Sequence, residues 1–238
     1  MSGERILLAE DTPISADAMM LMARQLSVEM DVAENGLDAI AMIEKASAAG
    51  RPYTLLMVDM MMPVLDGIET TLRLREMGYT PDALPIIAVT AATDLNEVRA
   101  YRASGMQAFL SKPVKLTDFR AALNAWGVRP RRRQTDKAVT IPVETLAALG
   151  QQFAERNGRT LSLIEATLAE ELFDAVAIED IRVLLHQIAG TAATFGNAVL
   201  GDAARRCEGE LVRARQAGAD LKPVLRNAAR ELKRRINL

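Results

Sequence analysis

Two uninterrupted apolar runs constrain the fold of this chain more than any other feature. They are TLLMVD, at Thr54–Asp59, and IIAVT, at Ile86–Thr90. A strand with one solvated face alternates apolar and polar residues, whereas a strand covered on both faces reads as a continuous apolar run. The two runs therefore predict buried strands of a parallel sheet with helices packed on both of its faces.

Strand-like and helix-like segments alternate along the first half of the chain. The predicted strands are Ile6–Ala9, Glu29–Ala33, Thr54–Asp59, Ile86–Thr90 and Ala108–Ser111, and the predicted helices are Ile14–Leu26, Gly36–Ala48, Gly67–Met77, Leu95–Ala103 and Leu116–Trp126. Such alternation is typical of a parallel sheet whose strands are joined by helices. Residues 1–127 are therefore predicted to form an α/β domain with a doubly wound, five-stranded parallel sheet.

The second half of the chain has a different pattern. Residues 128–142 contain two prolines and four arginines, and we interpret them as a linker. Residues 143–238 are rich in Ala, Leu, Glu and Arg at helical spacing, and this pattern breaks at Asn157-Gly158, near Asp174, at Gly196-Asn197 and at Gly218. We predict an all-α bundle of four or five antiparallel helices over these residues.

Charge and apolar content limit the classes of partner. The 29 basic and 31 acidic side chains leave a net charge of −2, which favours neither nucleic acid nor an anionic membrane. No apolar run approaches the ~18 residues of a membrane-spanning helix, and the N-terminus lacks the apolar core of a secretory signal. The single cysteine, Cys207, excludes an internal disulfide. We expect a cytoplasmic protein with no membrane partner and no nucleic-acid partner.

Polar side chains stand at the predicted carboxyl ends of four strands. Glu10 and Asp11 follow the first strand, Asp59 ends the third, Thr90 ends the fourth, and Lys112 follows the fifth. In an open parallel sheet these ends share one edge, where ligands bind. Three carboxylates at one edge repel one another unless a hard cation holds them, and their oxygen atoms suit Mg²⁺. With a lysine and a hydroxyl nearby, this set predicts phosphoryl transfer to a carboxylate.

The order of these residues resembles that of the receiver domain of two-component response regulators. The motifs that carry the resemblance are Glu10-Asp11, Asp59, Met62-Pro63-Val64-Leu65-Asp66-Gly67, Thr90-Ala91 and Lys112-Pro113. The resemblance covers residues 1–127 and implies a flavodoxin-like fold in which Asp59 is the phosphorylated aspartate. It also implies intrinsic self-phosphorylation of the receiver and slow dephosphorylation.

The same resemblance implies roles for the remaining site residues. The implied Mg²⁺ ligands are Glu10, Asp11, Asp59 and the backbone carbonyl of Met61. Thr90 would bind a phosphoryl oxygen and Lys112 would pair with the phosphate, so both are predicted to be catalytic. Phe109 matches an aromatic switch position that turns inward together with Thr90 upon phosphorylation.

The chain contains one histidine, His186. A step of ~100° per residue gathers an apolar stripe on one face of the surrounding helix: Ile181, Leu184, Leu185, Ile188, Ala192 and Phe195. On this projection His186 lies about 140° from the stripe, so we expect its ring to face solvent beside Arg182, Ala189 and Gly190. Without a second histidine a metal site is disfavoured, and an exposed phosphoryl carrier is the prediction.

The segment His186–Ala192 resembles the active helix of histidine phosphotransfer (HPt) domains. In that family the histidine is followed three and four positions later by lysine and glycine, and often by a later glycine, here Gly196. This chain has Gly190 but carries Ala189 in place of the lysine. We hypothesise that Arg182, one turn earlier on the same face, supplies the missing positive charge.

Together these patterns predict a two-component phosphorelay intermediate. The receiver would accept a phosphoryl group on Asp59 and exchange it with His186 of an HPt-like bundle, and its partners would be a sensor histidine kinase and a downstream receiver domain of another response regulator. The chain shows no ATP-binding glycine-rich loop, so it is not expected to be an ATP-dependent kinase.

Two other functions stay open. The bundle could be a non-phosphorylated partner-binding module that the receiver switches, and Ala189 favours this alternative. The arginines of residues 128–142 could instead belong to a DNA-binding output, although they lack interleaved aromatic residues and an adjoining recognition helix.

Overall fold

A computed structural model describes residues 4–91, 95–128, 143–170, 174–195 and 197–236 of the chain. The chain divides into two compact units, residues 1–141 and 142–238. The four arginines of the predicted linker, and Gly196 of the HPt-like motif, lie outside the described residues.

The first unit contains a five-stranded sheet. Its strands are β1 (Arg5–Ala9), β2 (Glu29–Ala33), β3 (Leu55–Asp59), β4 (Ile86–Thr90) and β5 (Ala108–Ser111). They are arranged in the order β2-β1-β3-β4-β5, and every neighbouring pair is parallel. The predicted doubly wound sheet is confirmed, and each strand boundary lies within one residue of its prediction.

The two apolar runs form inner strands of this sheet. Every residue of β3 and β4 is buried. Successive side chains of a strand point to opposite faces, and those of β3 accordingly divide between two cores, with Leu56 and Val58 in one and Leu55 and Met57 in the other. Helices therefore cover both faces of the sheet, as the continuous apolar pattern predicts.

The helices of the first unit are α1 (Pro13–Gln25), α2 (Gly36–Ala48), α3 (Gly67–Glu76), α4 (Leu95–Ala103) and α5 (Leu116–Ala125). Side-chain caps fix where two of them begin. Asn35 accepts a hydrogen bond from the Asp38 N–H at 3.0 Å, and Asp66 accepts one from the Glu69 N–H at 2.8 Å. Such caps satisfy backbone donors that have no partner within the helix, and all ten helix ends lie within one residue of the predictions.

The described part of the second unit is helical, as predicted. Its helices are α6 (Val143–Ala169), α7 (Ala175–Thr191), α8 (Ala198–Gln216) and α9 (Lys222–Ile236), with a short 3-10 helix at Ala192–Phe195. Asp174 and Asn197 cap the starts of α7 and α8, and Gly218 has a φ of 62° just after α8. Within the described ranges, every helix is too short or too polar to cross a bilayer.

One predicted helix break is wrong, because α6 continues through Asn157-Gly158. Residues at helical spacing on both sides of this dipeptide are buried, including Phe153, Asn157, Thr160 and Ile164. This face packs against the rest of the bundle without interruption. Its burial outweighs the low helix propensity of a single glycine, which is about 1 kcal/mol relative to alanine.

Candidate functional site

The predicted polar residues meet at one edge of the sheet. Glu10 and Asp11 directly follow β1, Asp59 is the last residue of β3, and Lys112 directly follows β5. From the β1–β3 pair, the chain continues to β2 on one side and to β4 and β5 on the other, so the strand order reverses between β1 and β3. Open α/β sheets bind their ligands at such a point, outside the carboxyl ends of the strands.

Three carboxylates converge at this edge. One oxygen atom from each of Glu10, Asp11 and Asp59 lies within 4.8 Å of the other two. Glu10 and Asp59 are each 2% exposed, and Asp11 is half-buried. We refer to these three residues and Lys112 as the acidic cluster. Because buried charges are unfavourable unless they are paired, the cluster needs positive charge.

Lys112 supplies part of that charge. Its Nζ donates hydrogen bonds to Glu10 Oε2 at 2.8 Å and to Asp59 Oδ2 at 2.6 Å. Burial by itself lowers the pKa of Lys112, but the Asp59 and Glu10 carboxylates raise it by more, so the pKa lies above its ordinary value. The ammonium group is therefore charged at neutral pH, and it ties the ends of β1, β3 and β5 together.

One ammonium group does not balance three carboxylates. Burial raises the pKa of Glu10 well above the usual carboxyl range, Lys112 lowers it by a smaller amount, and Asp59 raises it again. A raised carboxyl pKa means that the ionised cluster would gain from further positive charge. The atoms that the cluster offers to a metal are all carboxylate oxygens. The cluster therefore fits a hard divalent cation such as Mg²⁺.

The loop after β3 lies close to the cluster. The Met61 N–H donates to Asp59 Oδ1 at 3.2 Å, which places the backbone of this predicted ligand beside the carboxylate. A Cβ on Gly67 would lie 2.6 Å from the Asp59 carbonyl oxygen, so only glycine fits there. Val64 has a φ of 71°, which is unfavourable for a β-branched residue. The sequence does not reveal this strain, because the strain depends on the backbone conformation of the loop.

Thr90 and Phe109 occupy the side of the site formed by β4 and β5. Thr90 is 1% exposed, and its Oγ1 lies 3.2 Å from the hydroxyl oxygen of Tyr101 on α4. Phe109 is 39% exposed, so its ring is at the surface. The switch role of the pair stays a prediction. Tyr101 is a further candidate that the sequence reasoning missed, since an aromatic residue in a helix is usually a packing residue.

The solvent exposure predicted for His186 is wrong, because the residue is only 5% exposed. The helical projection assumed that α7 packs along a single stripe, whereas α7 contacts both α6 and α8. A helix between two neighbours buries more than one stripe. The angle between a side chain and the centre of the apolar stripe therefore does not predict its solvent exposure. Leu184 and Phe195 belong to the predicted stripe but are only half-buried.

The small residues next to His186 accommodate a neighbouring helix of the same bundle. Ala189 and Gly190 are both buried. A Cβ on Gly201 of α8 would lie 3.4 Å from the carbonyl oxygen of Ala189 and 3.4 Å from the Cβ of Ala192. These small side chains thus let α7 and α8 cross closely.

Glu208 of α8 is a candidate that the sequence reasoning missed. Its carboxylate oxygens lie 3.1 and 3.2 Å from His186 Nδ1, whereas His186 Nε2 is buried and has no hydrogen-bond partner among the described residues. A carboxylate at Nδ1 favours the tautomer with its proton there and leaves the Nε2 lone pair unused. No local pattern marks Glu208, because its contact depends on how α7 and α8 pair.

Arg182 lies on the same face of α7 as His186, one turn earlier. It donates to Glu179 through Nε and Nη2, and its Nη1 lies 3.7 Å from Glu208 Oε1. Glu179 also pairs with Arg215 of α8 at 2.7 Å. The charge of Arg182 is therefore already shared between two carboxylates.

Comparison with known proteins adds to this geometry. A family model described as the response regulator receiver domain matches residues 6–124. Hybrid signal transduction histidine kinase G of Dictyostelium discoideum is 32% identical over 125 residues, which are 52% of this chain and 4% of that protein. Sensor histidine kinase AruS of Pseudomonas aeruginosa is 26% identical over an alignment 255 residues long. The alignment covers 98% of this chain and 24% of that protein.

A similar solved structure is the receiver domain of another Pseudomonas aeruginosa sensor histidine kinase, crystallised with a magnesium ion in its active-site cleft. It is 28% identical with a TM-score of 0.46, and the match covers 52% of this chain and 97% of that one. The chain spans only 4%, 16% and 10% of three of its curated relatives. The family model nevertheless matches half of the chain, at the sheet that carries the acidic cluster. The chain therefore belongs to the response regulator receiver family.

Proposed function

We propose that this chain is a phosphorelay intermediate. Its receiver takes a phosphoryl group from a sensor histidine kinase on Asp59 and exchanges it with His186, which passes it to the receiver domain of another response regulator. The observation that carries the proposal is the buried acidic cluster, in which Lys112 bonds Asp59 and Glu10 at 2.6 and 2.8 Å. A phosphorylated partner supplies the phosphoryl group, and the chain itself does not act as an ATP-dependent kinase.

The geometry around Asp59 suits nucleophilic attack on phosphorus. Its Oδ1 accepts from the Met61 N–H and its Oδ2 from Lys112, which fixes the orientation of the carboxylate. Lys112 is already charged and lies where negative charge accumulates on the transferring group, so it needs little reorganisation. Thr90, at the end of β4, has a hydroxyl that can turn to a phosphoryl oxygen.

A divalent ion completes the charge balance in this proposal. Mg²⁺ would be held by Glu10, Asp11, Asp59 and the Met61 carbonyl. When bound, it supplies positive charge that offsets the negative charge of the phosphoryl oxygens.

The second half of the proposal concerns His186. Glu208 at Nδ1 orients the imidazole, and the free lone pair of Nε2 is the nucleophile. Because Nε2 is buried, exchange requires a local opening around His186 before a phosphorylated aspartate can approach. Local opening of packed segments occurs on timescales of about microseconds to seconds, which would set the pace of the exchange.

A second candidate function rests on the same burial. With His186 5% exposed and alanine at position 189, the bundle could instead be a non-phosphorylated module that binds a partner when the receiver switches. This alternative keeps Asp59 as the acceptor and assigns His186 a structural role through its contact with Glu208.

Labelling of three proteins distinguishes the two functions. The wild type, Asp59→Asn and His186→Ala are incubated with Mg²⁺ and a phosphorylated sensor kinase, and the bound label is sorted by its stability in acid and alkali. The proposal expects an acid-stable, alkali-labile acyl phosphate that disappears in Asp59→Asn. It also expects an acid-labile, alkali-stable label that disappears in His186→Ala. Acyl phosphate alone would support the partner-binding module, and no label in the wild type would overturn both functions.

A further inference from the structure

Phosphorylation of His186 would create a charge conflict inside the bundle. A phosphoryl group brings about two negative charges to an imidazole whose other nitrogen lies 3.1 Å from the Glu208 carboxylate. The imidazole ring separates the phosphoryl group on Nε2 from the Glu208 carboxylate, but like charges still repel across this distance in a buried environment. A phosphorylated His186 therefore needs a nearby cation that Glu208 does not already engage.

Arg182 does not meet this need. Its guanidinium group bonds Glu179 and lies 3.7 Å from Glu208, and only 23% of its side chain is exposed. Two carboxylates thus already balance its single charge. Turning Arg182 toward a phosphoryl group would leave those carboxylates with less positive charge.

Arg205 of α8 is better placed. It lies three residues before Glu208 on the same helix, so the two side chains share one face. Its Nη2 lies 3.5 Å from the carbonyl oxygen of Ala189, three residues after His186. Arg205 therefore reaches across to α7 at Ala189, where the HPt domains that this segment resembles have a lysine.

The charge of Arg205 is also more available. Its ion-pair partner among the described residues is Asp202, at 3.0 Å, whose side chain is 61% exposed. Exposed ion pairs of this kind contribute little to stability, and water readily replaces the partner. In addition, Arg205 Nε is buried without a hydrogen-bond partner within the described ranges. The guanidinium group can therefore turn to a new anion while losing only the exposed pair with Asp202 and the long contact to the Ala189 carbonyl oxygen.

We propose that Arg205 binds the phosphoryl group on His186 and lengthens its lifetime. The inference rests on the proposed exchange at His186 and assigns the phosphate-binding cation to α8, in place of the Arg182 suggested by the sequence. It also explains why position 189 tolerates alanine: the small side chain leaves space for the guanidinium group of Arg205.

The test uses the full chain with Asp59→Asn, so that only histidine can be labelled. Phosphoramidate is the donor: its P–N bond breaks, a bond forms between phosphorus and His186 Nε2, and ammonia leaves. We expect Arg205→Gln to shorten the half-life of the acid-labile label by about two- to fivefold, the effect of a partly exposed ion pair. Arg206→Gln is the matched control, because Arg206 is 59% exposed and pairs with Glu231 on α9.

Two further readouts separate phosphate binding from a structural role. Added salt should shorten the label half-life in the wild type more than in Arg205→Gln, since salt screens a charge pair. Arg205→Lys should keep more of the half-life than Arg205→Gln, because it keeps a cation at the same place. Circular dichroism melting confirms that each variant is folded, and Arg205→Met, which also removes the charge, serves if Arg205→Gln is not folded.

Each outcome bears on a different claim. Equal half-lives for the wild type and Arg205→Gln overturn the role of Arg205 while leaving exchange at His186 intact. A label that never forms on His186, with phosphoramidate or with a phosphorylated receiver, overturns the proposed exchange and this inference with it.

Discussion

The acidic cluster and the imidazole of the bundle are both buried, but their charges are balanced differently. In the cluster, three carboxylates face the single ammonium group of Lys112, so negative charge remains for a cation to offset. In the bundle, Glu208 faces His186, and Arg182 lies beside them. The cluster would therefore gain from a bound cation, whereas the exchange proposed at His186 requires movement of its neighbours.

The largest expected effect breaks the charge balance of the cluster. Lys112→Met leaves the carboxylates buried without their cation, and we expect the free energy of unfolding of the receiver to fall by about 3 kcal/mol in EDTA. Adding Mg²⁺ should recover part of this loss. Urea unfolding followed by the fluorescence of Trp126, the only tryptophan, reports on the receiver alone.

Lys115→Met is the control for this experiment, because Lys115 is exposed and makes no side-chain cap contact. An equal, small effect of both substitutions would mean that the cluster carries no excess negative charge.

The second prediction concerns Glu208. Removing its carboxylate in Glu208→Ala should lower the free energy of unfolding of the bundle by about 1.5–3 kcal/mol, the range for a hydrogen bond to a charged group. It should also abolish the preference of His186 for a proton on Nδ1. Nitrogen NMR of the only histidine measures this tautomer directly, and Glu208→Gln, which keeps an acceptor oxygen, should retain it. An unchanged tautomer in Glu208→Ala would remove the orienting role of Glu208.

The third prediction uses the pH dependence of Mg²⁺ binding. Because burial raises the pKa of Glu10 above the usual carboxyl range, Glu10 keeps its proton at mildly acidic pH and loses it when Mg²⁺ binds. The affinity should therefore rise with pH, by at most about tenfold per pH unit for one released proton, and level off once Glu10 is ionised. Isothermal titration calorimetry in buffers of different protonation enthalpy counts the protons.

Glu10→Gln should bind Mg²⁺ more weakly and with a flatter pH dependence across the same range. A wild-type affinity that does not change with pH would show that Glu10 is already ionised without metal.

The smallest expected effect concerns the strained loop beside the cluster. Val64 is 73% exposed, so Val64→Gly loses little packing while it relieves the unfavourable φ of 71°. We expect the receiver to gain about 1 kcal/mol in free energy of unfolding. The same substitution at Val199, an exposed residue in α8 without positive φ, should destabilise by about 0.5–1 kcal/mol. A loss of stability in Val64→Gly would show that the loop does not carry this strain.

The two sites also differ in how far the sequence predicts them. Asp59 and Lys112 could be placed together because the end of a strand is visible in the sequence, and parallel topology carries all such ends to one edge. The surroundings of His186 could not, because they depend on which face of α8 meets α7. Glu208 and Arg205 are two of many charged residues in an amphipathic helix, and nothing local distinguishes those that face a neighbour.

The absence of a side chain at Gly67 has a mechanical consequence. The first turn of α3 rests directly on the carbonyl group of Asp59, at a distance that leaves no space for even a methyl group. Close-packed interiors have low compressibility and transmit strain. Asp59 is therefore closely packed on the α3 side, whereas the hydroxyl pair of Thr90 and Tyr101 lies on the side of the site toward α4.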